Sequence, residues 1–327
     1  MKLINNALLL TSGLLLSSAV MAASYQACST SGCRTAGSTM VLSSYAKTKY
    51  PLILAHGMGG FSSIAGFEYF YGIGSDLTRN GAQVFETQVA SFDSSYVRGE
   101  QLLNQTKQIL AITGASKVNL IGHSQGSLDV RYVAGVLPNK VASVTTVGGL
   151  NKGVPMGDAV VSLQASPAGT VFAPVITAGI NAFFTLVGVG SGQWYNQSSK
   201  AGGDQISTAG MAKFNADFPA GLPTTACGEG AYVVNGQRFY SWSGTGKITS
   251  LIDPSDTILA ATGLVGTSDG DGLVPRCTSH IGRVIRDNYN QNHFDQVNQV
   301  FGLVSIFESS PVALFRQQAN RLKVAGL

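Results

Sequence analysis

The sequence predicts an α/β fold, in which a mostly parallel central sheet is covered by helices on both faces. Three observations support this prediction. Short apolar runs typical of buried strands alternate with stretches of helical spacing, one of these runs leads through a glycine–serine turn into a helix, and no internal repeat or long linker divides the 327 residues. Forty glycines and a mean hydropathy of +0.18 exclude a charged, disordered chain.

Strands and helices are predicted to alternate from residue 51 onwards. The predicted strands cover residues 51–55, 82–89, 117–121 and 141–147, and the predicted helices between them cover residues 99–113 and 126–137. Helices that connect parallel strands cross over with a right-handed sense, so this order favours a sheet with both faces covered. Residues 24–44, which are rich in Ser, Thr and Gly, are interpreted as a leader that precedes this pattern.

Charged residues make up only 12% of the chain, about half of the share in an average globular domain. The formal net charge is +4, and no basic tract could follow a phosphate backbone, which excludes nucleic acid as a partner. The longest uncharged stretch, residues 159–199, contains an apolar run at 171–190 that is long enough to cross a bilayer. A membrane span and a buried helix are alternatives, but we interpret residues 151–200 as a helical lid region.

The N-terminus has the features of a secretory signal peptide. Lys2 is followed by an apolar run at 7–16 and by small residues, with a cleavage site after Ala22 or Ala23. The apolar run is too short for a membrane anchor, which needs about 20 residues. We therefore expect a signal peptide over residues 1–23 and a single domain over residues 24–327.

Export places the chain where disulfides can form. The four cysteines allow three pairings, and their spacing favours a local bridge between Cys28 and Cys33 and a long one between Cys227 and Cys277. None of the spacings is typical of a zinc site.

The segment VNLIGHSQG at 118–126 predicts the nucleophile. It is a strand that runs into G-x-S-x-G before a helix, and the sharp turn presents the Ser124 hydroxyl at the carboxyl edge of the sheet. Gly122 and Gly126 let the turn close, and the N-terminus of the new helix directs backbone N–H groups at developing negative charge. We predict that Ser124 is a catalytic nucleophile.

An oxyanion hole for such a serine needs two N–H donors. One comes from the residue after the nucleophile, here Gln125, and the other from the loop after an earlier strand. The predicted strand at 51–55 is followed by HGMGG, so we expect the backbone of Met58 to supply the second donor. His56 in the same loop is assigned a structural role.

The catalytic base follows the serine in hydrolases with this turn, in the order Ser, acid, His. Only His280 and His293 lie beyond Ser124. His293 occupies a polar loop late in the chain, as catalytic histidines do, so it is favoured as the base. His280, three residues after Cys277, is interpreted as structural.

The acid that orients the histidine is sought in the turn-rich loop at 267–275, which carries two carboxylates. Asp271 directly precedes Gly-Leu-Val-Pro, a sequence that recurs in acid loops of this type, and is favoured. Asp269 is the alternative.

Four segments of the chain resemble the secreted, foldase-dependent true lipases of Gram-negative bacteria, the Pseudomonas-type lipases of family I. They are YPLILAHGM at 50–58, VNLIGHSQG at 118–126, ACGEGAY at 226–232 and VIRDNY at 284–289, and NQVFGLVSIFE at 298–308 continues the likeness. The resemblance implies an α/β-hydrolase fold with a helical lid insertion, and hydrolysis of long-chain acylglycerols through an acyl-enzyme. It also implies the triad Ser124, Asp271 and His293, oxyanion donors at Met58 and Gln125, and a bridge between Cys227 and Cys277.

The resemblance further implies one structural Ca²⁺ that braces the histidine loop. The matching positions are Asp253, Asp295, Gln299 and the backbone carbonyl of Leu303. Oxygen ligands of this kind suit Ca²⁺, and Asp295 and Gln299 are one helical turn apart. A membrane-anchored foldase chaperone, export to the medium and action at a lipid–water interface are implied as well.

Two other functions are compatible with parts of the sequence. A carboxylesterase or polyester depolymerase would use the same triad on other esters. A catalytically silent hydrolase-fold binding module would lack one triad member, whereas all three are present. The segment with Cys28 and Cys33 matches no segment of these lipases, so the resemblance assigns it no role.

Overall fold

The computed structural model describes residues 21–64, 67–167, 193–250, 252–263 and 269–327, together with the single residues 181 and 189. The predicted signal peptide, apart from its last three residues, lies outside the described residues, as does most of the apolar run at 171–190. Among the helices that are described, none is long and apolar enough to span a bilayer. The division into a signal peptide, one domain and a lid region stays a prediction.

A nine-stranded sheet runs through the centre of the molecule. In chain order the strands are β1 (Ala22–Ser29), β2 (Gly32–Met40), β3 (Leu52–Ala55), β4 (Ser63–Ile64), β5 (Phe67–Glu68), β6 (Val84–Thr87), β7 (Val118–His123), β8 (Val141–Val147), β9 (Val233–Val234), β10 (Gln237–Gly244) and β11 (Arg283–Tyr289), of which β4 and β5 form a separate ribbon. The spatial order of the sheet is β11-β10-β8-β7-β3-β6-β1-β2, and β9 pairs with β10. Every neighbouring pair from β11 to β1 is parallel.

Helices cover both faces of this sheet. The described helices are α1 (Ile73–Arg79), α2 (Ser95–Thr113), α3 (Gly126–Val136), α4 (Pro155–Ala165), α5 (Ser199–Ile206), α6 (Thr208–Asp217), α7 (Pro254–Gly263), α8 (Gln299–Gly302) and α9 (Pro311–Val324). Leu54 of β3 belongs to the same buried cluster as Phe315 of α9. Its neighbour Ile53 belongs to a second cluster with Leu102 of α2 and Val130 of α3. Because successive side chains of a strand point to opposite faces, this alternation confirms the predicted doubly covered sheet.

The elements predicted between residues 51 and 147 are confirmed, with ends that shift by a few residues. Helix α2 begins earlier than predicted because the Ser94 hydroxyl caps it by accepting from the Val97 N–H, and it ends at the left-handed Gly114. Strand β7 extends to His123, two residues beyond the predicted end. The strand therefore leads directly into Ser124.

The interpretation of residues 24–44 as a leader is wrong for most of that segment. Strands β1 and β2 form an antiparallel hairpin, and Gln26–Cys28 of β1 pairs in parallel with Phe85–Thr87 of β6. A hairpin at the sheet edge is half exposed and contains many small polar residues, so it lacks the apolar run that reveals a central strand. The Cys28–Cys33 bridge closes its turn.

Both predicted disulfides are present. Besides Cys28–Cys33, the bridge between Cys227 and Cys277 joins the loop before β9 to the turn before β11. Strands β10 and β11, which the sequence analysis did not predict, extend the sheet beyond β8. The loop that follows β11 carries His293.

Candidate active site

Ser124 lies on a sharp turn between β7 and α3. Its backbone is left-handed, with φ 54°, a conformation that costs free energy for any residue other than glycine. A Cβ on Gly122 would lie 2.2 Å from the carbonyl oxygen of Gly126, and a Cβ on Gly126 would lie 2.4 Å from that of Ala55. The glycines therefore allow the close approach of strand and helix that the turn requires, as predicted.

The three predicted triad residues lie in one line of hydrogen bonds. His293 Nε2 is 2.8 Å from Ser124 Oγ, and His293 Nδ1 is 2.8 Å from Asp271 Oδ2. Because the Asp271 carboxylate accepts, Nδ1 carries the hydrogen and Nε2 accepts from the serine hydroxyl. Ser124 is therefore oriented with its proton directed at a base.

Asp271 is fully buried, and four hydrogen bonds stabilise its charge. Its Oδ1 accepts from the backbone N–H groups of Leu273 and Val274 at 3.0 and 2.8 Å. Its Oδ2 accepts from His293 and from Gln296 Nε2 at 2.7 Å. Gln296 was missed by the sequence analysis, and its position three residues after His293 is the only sequence signal that could have suggested it.

The two predicted oxyanion donors are the backbone N–H groups of Met58 and Gln125. Within the described residues, neither of these N–H groups donates to a backbone carbonyl. The carbonyl oxygen of Gly57 accepts from His56 Nδ1 at 2.8 Å and from the Gly60 N–H at 3.2 Å. In a trans peptide the N–H points away from the carbonyl, so these bonds fix the direction of the Met58 N–H.

His56 has the structural role that was predicted. Its Nδ1 donates to Gly57 and its Nε2 accepts from the Val89 N–H at 3.2 Å, so the neutral imidazole satisfies both groups. Burial, together with the nearby Arg98 guanidinium, lowers the pKa of His56 to about 3. The ring therefore links the loops after β3 and β6 and does not serve as a base.

The alternative histidine and the alternative acid lie elsewhere. His280 Nε2 is 3.0 Å from Asp287 Oδ2, and its Nδ1 is 3.1 Å from the carbonyl of Gly228, beside the Cys227–Cys277 bridge. Asp269 is exposed, two residues from the buried Asp271. The structure thus selects His293 and Asp271 for contact with Ser124.

An apolar cavity of about 510 Å³ opens at Ser124 and His293. Its walls include the side chains of Met58, Phe61, Leu150, Val154, Ile206 and Leu273. At the same cavity the Phe301 ring makes edge-to-face contacts with Phe67 and Tyr71, at 5.2 and 6.0 Å between ring centroids. The cavity has the size and polarity of a site for an apolar substrate.

The carboxylates of the expected calcium site are buried and incompletely paired. Within the described residues, Asp253 Oδ2 and Asp295 Oδ1 have no hydrogen-bond partner. Burial raises the pKa of Asp295 to about 7, and the charges of Asp256 and Asp253 contribute to the increase. Buried anionic oxygens without a donor fit a divalent cation.

Of the other two expected ligands, Gln299 is the first residue of α8 and Leu303 directly follows its last residue, and within α8 Val300 and Phe301 are left-handed. No group of three or more histidine, cysteine or acidic side chains converges as a metal cluster in the described part of the chain, so amide and backbone oxygens would have to complete the set. Asp256 accepts from Asn292 Nδ2 at 2.7 Å, beside His293.

Comparisons with known proteins agree with this geometry. Residues 50–247 match the family described as the alpha/beta hydrolase fold. Among curated proteins, a triacylglycerol lipase of Vibrio cholerae is 49% identical over 86% of this chain and 90% of its own length. Triacylglycerol lipases of Burkholderia plantarii and Pseudomonas fragi are 40% and 37% identical, over 89% and 86% of this chain and 90% and 98% of their own lengths.

Solved structures show the same fold at lower identity. A Bacillus licheniformis lipase in its mature form superposes with a TM-score of 0.54 at 16% identity, covering 78% of this chain and 89% of that one. A metagenomic carboxyl esterase superposes with a TM-score of 0.53 at 17% identity, covering 88% and 78%.

Proposed function

The chain belongs to the alpha/beta hydrolase fold family, among the bacterial triacylglycerol lipases, and from this premise we propose that it hydrolyses the ester bonds of long-chain acylglycerols. One observation carries the proposal. Ser124 and His293, which are hydrogen-bonded in series with Asp271, border an apolar cavity of about 510 Å³ rather than a polar cleft. An acyl chain would bury its surface in such a cavity while its ester carbonyl meets the serine.

The proposed reaction has two halves. His293 Nε2 removes the proton of Ser124 as Oγ attacks the ester carbonyl, and the imidazolium, stabilised by Asp271, then protonates the departing alcohol. The negative charge that develops on the carbonyl oxygen is stabilised by the N–H groups of Met58 and Gln125. In the second half, His293 activates a water molecule that attacks the acyl-enzyme and releases the fatty acid.

Hydrolysis of an emulsified long-chain triacylglycerol, compared with that of a soluble short-chain ester, tests the substrate class. We expect a preference for the emulsion in the parent enzyme and no hydrolysis of either substrate by Ser124→Ala with an unchanged circular dichroism spectrum. Activity on the soluble ester alone would retain the triad but make the protein a carboxylesterase. Hydrolysis by Ser124→Ala at the parent rate would exclude Ser124 as the nucleophile.

We also propose that one Ca²⁺ ion binds at Asp253, Asp295, Gln299 and the Leu303 carbonyl. The unpaired oxygens of Asp253 and Asp295 support this site. A bound ion would neutralise two buried carboxylates and brace the segment that follows His293. It takes no part in the chemical steps.

Secretion through the periplasm and folding assisted by a membrane-anchored foldase complete the proposal. The N-terminal sequence pattern, the two disulfides and the relation to bacterial lipases support export. Refolding the denatured chain with and without the foldase domain, and measuring the yield of ester hydrolysis, tests the chaperone. An equal yield without it would exclude an obligatory foldase.

A further inference from the structure

A line of hydrogen bonds joins the loop after β3 to the backbone of the catalytic base. The N–H of Gly57 donates to the hydroxyl of Tyr69 over 3.0 Å, and this hydroxyl lies 2.7 Å from His123 Nδ1. On the other side of the imidazole, His123 Nε2 lies 2.9 Å from the carbonyl oxygen of His293. The line begins in the oxyanion loop, passes through the residue that precedes the nucleophile and ends on the base.

The donor and the acceptor of each hydrogen bond follow from the chemistry of the two groups that it joins. The His293 carbonyl only accepts, so His123 Nε2 must carry a hydrogen. Burial lowers the pKa of His123 well below its usual value, so the ring is neutral and its Nδ1 is an acceptor. The hydroxyl of Tyr69 therefore donates to Nδ1 and uses a lone pair to accept from Gly57.

Both side chains are shielded from water, since Tyr69 is 5% exposed and His123 is not exposed. The four residues come from four separate parts of the chain, so no local backbone geometry fixes their relative positions. Without this line, the Gly57 N–H and the His293 carbonyl would each lose the partner that they have in the described structure. Buried polar groups that lose a partner rearrange or admit water, and either change would move the groups around Ser124.

We propose that Tyr69 and His123 are positioning residues, which hold the oxyanion loop and His293 in fixed positions relative to Ser124. The inference rests on the proposed esterolytic function and adds two residues to its machinery. Tyr69 acts on the peptide unit next to the one that carries the Met58 N–H. His123 acts on the His293 carbonyl, while the Asp271 carbonyl holds the His293 N–H at 2.9 Å.

The variant Tyr69→Phe tests the proposal because it removes one hydroxyl and keeps the ring that lines the cavity. With a soluble short-chain ester, we expect kcat to fall roughly 10- to 100-fold and KM to stay within about twofold, since misplaced groups affect the transition state more than binding. The inhibition constant of a phenylboronic acid, whose serine adduct is tetrahedral, should rise by a similar factor. Tyr240→Phe is the matched control, because it removes a buried hydroxyl bonded to Tyr232 away from the cavity.

Two further measurements separate positioning from a loss of stability. His123→Gln, which keeps an amide donor for the His293 carbonyl, should retain a higher kcat than His123→Leu. The ¹⁵N spectrum of the parent should show His123 protonated at Nε2 only. If Tyr69→Phe keeps the parent kcat and boronate affinity, the proposal is overturned, although hydrolysis by the parent and its loss in Ser124→Ala would still support the proposed function.

Discussion

Arg98 and Asp129 form an ion pair that is completely shielded from solvent. Arg98 Nη2 lies 2.8 Å from Asp129 Oδ2, and neither side chain is exposed. The same guanidinium donates to the carbonyl oxygens of Ala90 and His56 at 2.5 and 2.8 Å. One cation therefore joins the loops after β3 and β6 to α3, next to Met58, the proposed oxyanion donor.

The variant Asp129→Asn should lower the free energy of unfolding by about 3–5 kcal/mol, because it leaves a buried guanidinium without a counter-ion and arginine cannot deprotonate. Urea denaturation followed by tryptophan fluorescence measures the change. The exposed pair Lys200–Asp204 supplies the control, since Asp204→Asn removes an ion pair of similar length that water already screens. Equal effects of the two substitutions would contradict the structural importance of the buried pair.

The left-handed backbone of Ser124 is strained, so a replacement that relieves the strain should raise the free energy of unfolding. Ser124→Ala and Ser124→Gly both remove the proposed nucleophile, but only glycine adopts φ 54° without steric cost. Glycine also loses more backbone entropy on folding, which offsets part of the gain. We expect Ser124→Gly to be more stable than Ser124→Ala by up to about 1 kcal/mol in denaturant titrations, with neither variant active. A more stable alanine variant would show that the turn carries no strain.

The triad could be predicted because each member carries a local sequence signal. Ser124 lies in G-x-S-x-G after an apolar strand, and Asp271 and His293 lie in late polar loops in the order that this turn requires. These signals depend on neighbouring residues, and the structure confirms that the three side chains meet. The central strands were predictable for the same reason, since burial on both faces makes them continuous apolar runs.

The remaining features depend on residues that are far apart in the chain. Arg98 and Asp129 are separated by 31 positions, and His123 and His293 by 170, so no spacing rule connects them. The hairpin of β1 and β2 escaped prediction because an edge strand built from small polar residues resembles a loop in composition. In each case the tertiary fold determines which residues come into contact, and a local sequence pattern does not contain that information.

Stability should fall with decreasing pH partly because of His56. The folded state keeps this imidazole neutral down to a pKa of about 3, whereas the unfolded chain protonates it near 6.5. Below pH 6.5 the unfolded state binds one more proton, so the contribution is complete above pH 6.5 and is lost as the pH falls towards 3, by about 5 kcal/mol in total. His56→Gln cannot titrate and should flatten the slope of unfolding free energy against pH by about 1.4 kcal/mol per unit between pH 4 and 6. If unfolding free energy depended on pH in the same way in the parent and in His56→Gln, this contribution of His56 to the pH dependence would be refuted.

The two disulfides should differ in their effect on stability. In the chain-entropy account, the 50-residue separation of Cys227 and Cys277 corresponds to about 4 kcal/mol and the five-residue separation of Cys28 and Cys33 to about 2 kcal/mol. We therefore expect the double serine variant of the long bridge to lose about 2 kcal/mol more than that of the short one. Urea titrations of both variants under oxidising conditions measure the difference. A larger loss at Cys28–Cys33 would mean that the hairpin contributes by contacts rather than by chain entropy.

Chelation of the proposed calcium ion should destabilise the parent but leave Asp295→Asn almost unchanged. In the parent, EDTA would leave the buried carboxylates of Asp253, Asp256 and Asp295 to repel one another, a repulsion that already contributes to the raised pKa of Asp295. We expect EDTA to lower the melting temperature of the parent by several degrees and to change that of Asp295→Asn little. With calcium present the parent should be the more stable protein. With EDTA the variant should be the more stable one, because the amide carries no charge and can still accept from the Asn292 N–H.

Differential scanning calorimetry with Ca²⁺, with Mg²⁺ and with EDTA measures the order of stability of the parent and the variant under each condition. A parent melting temperature that does not respond to EDTA would exclude a structural calcium ion at this site.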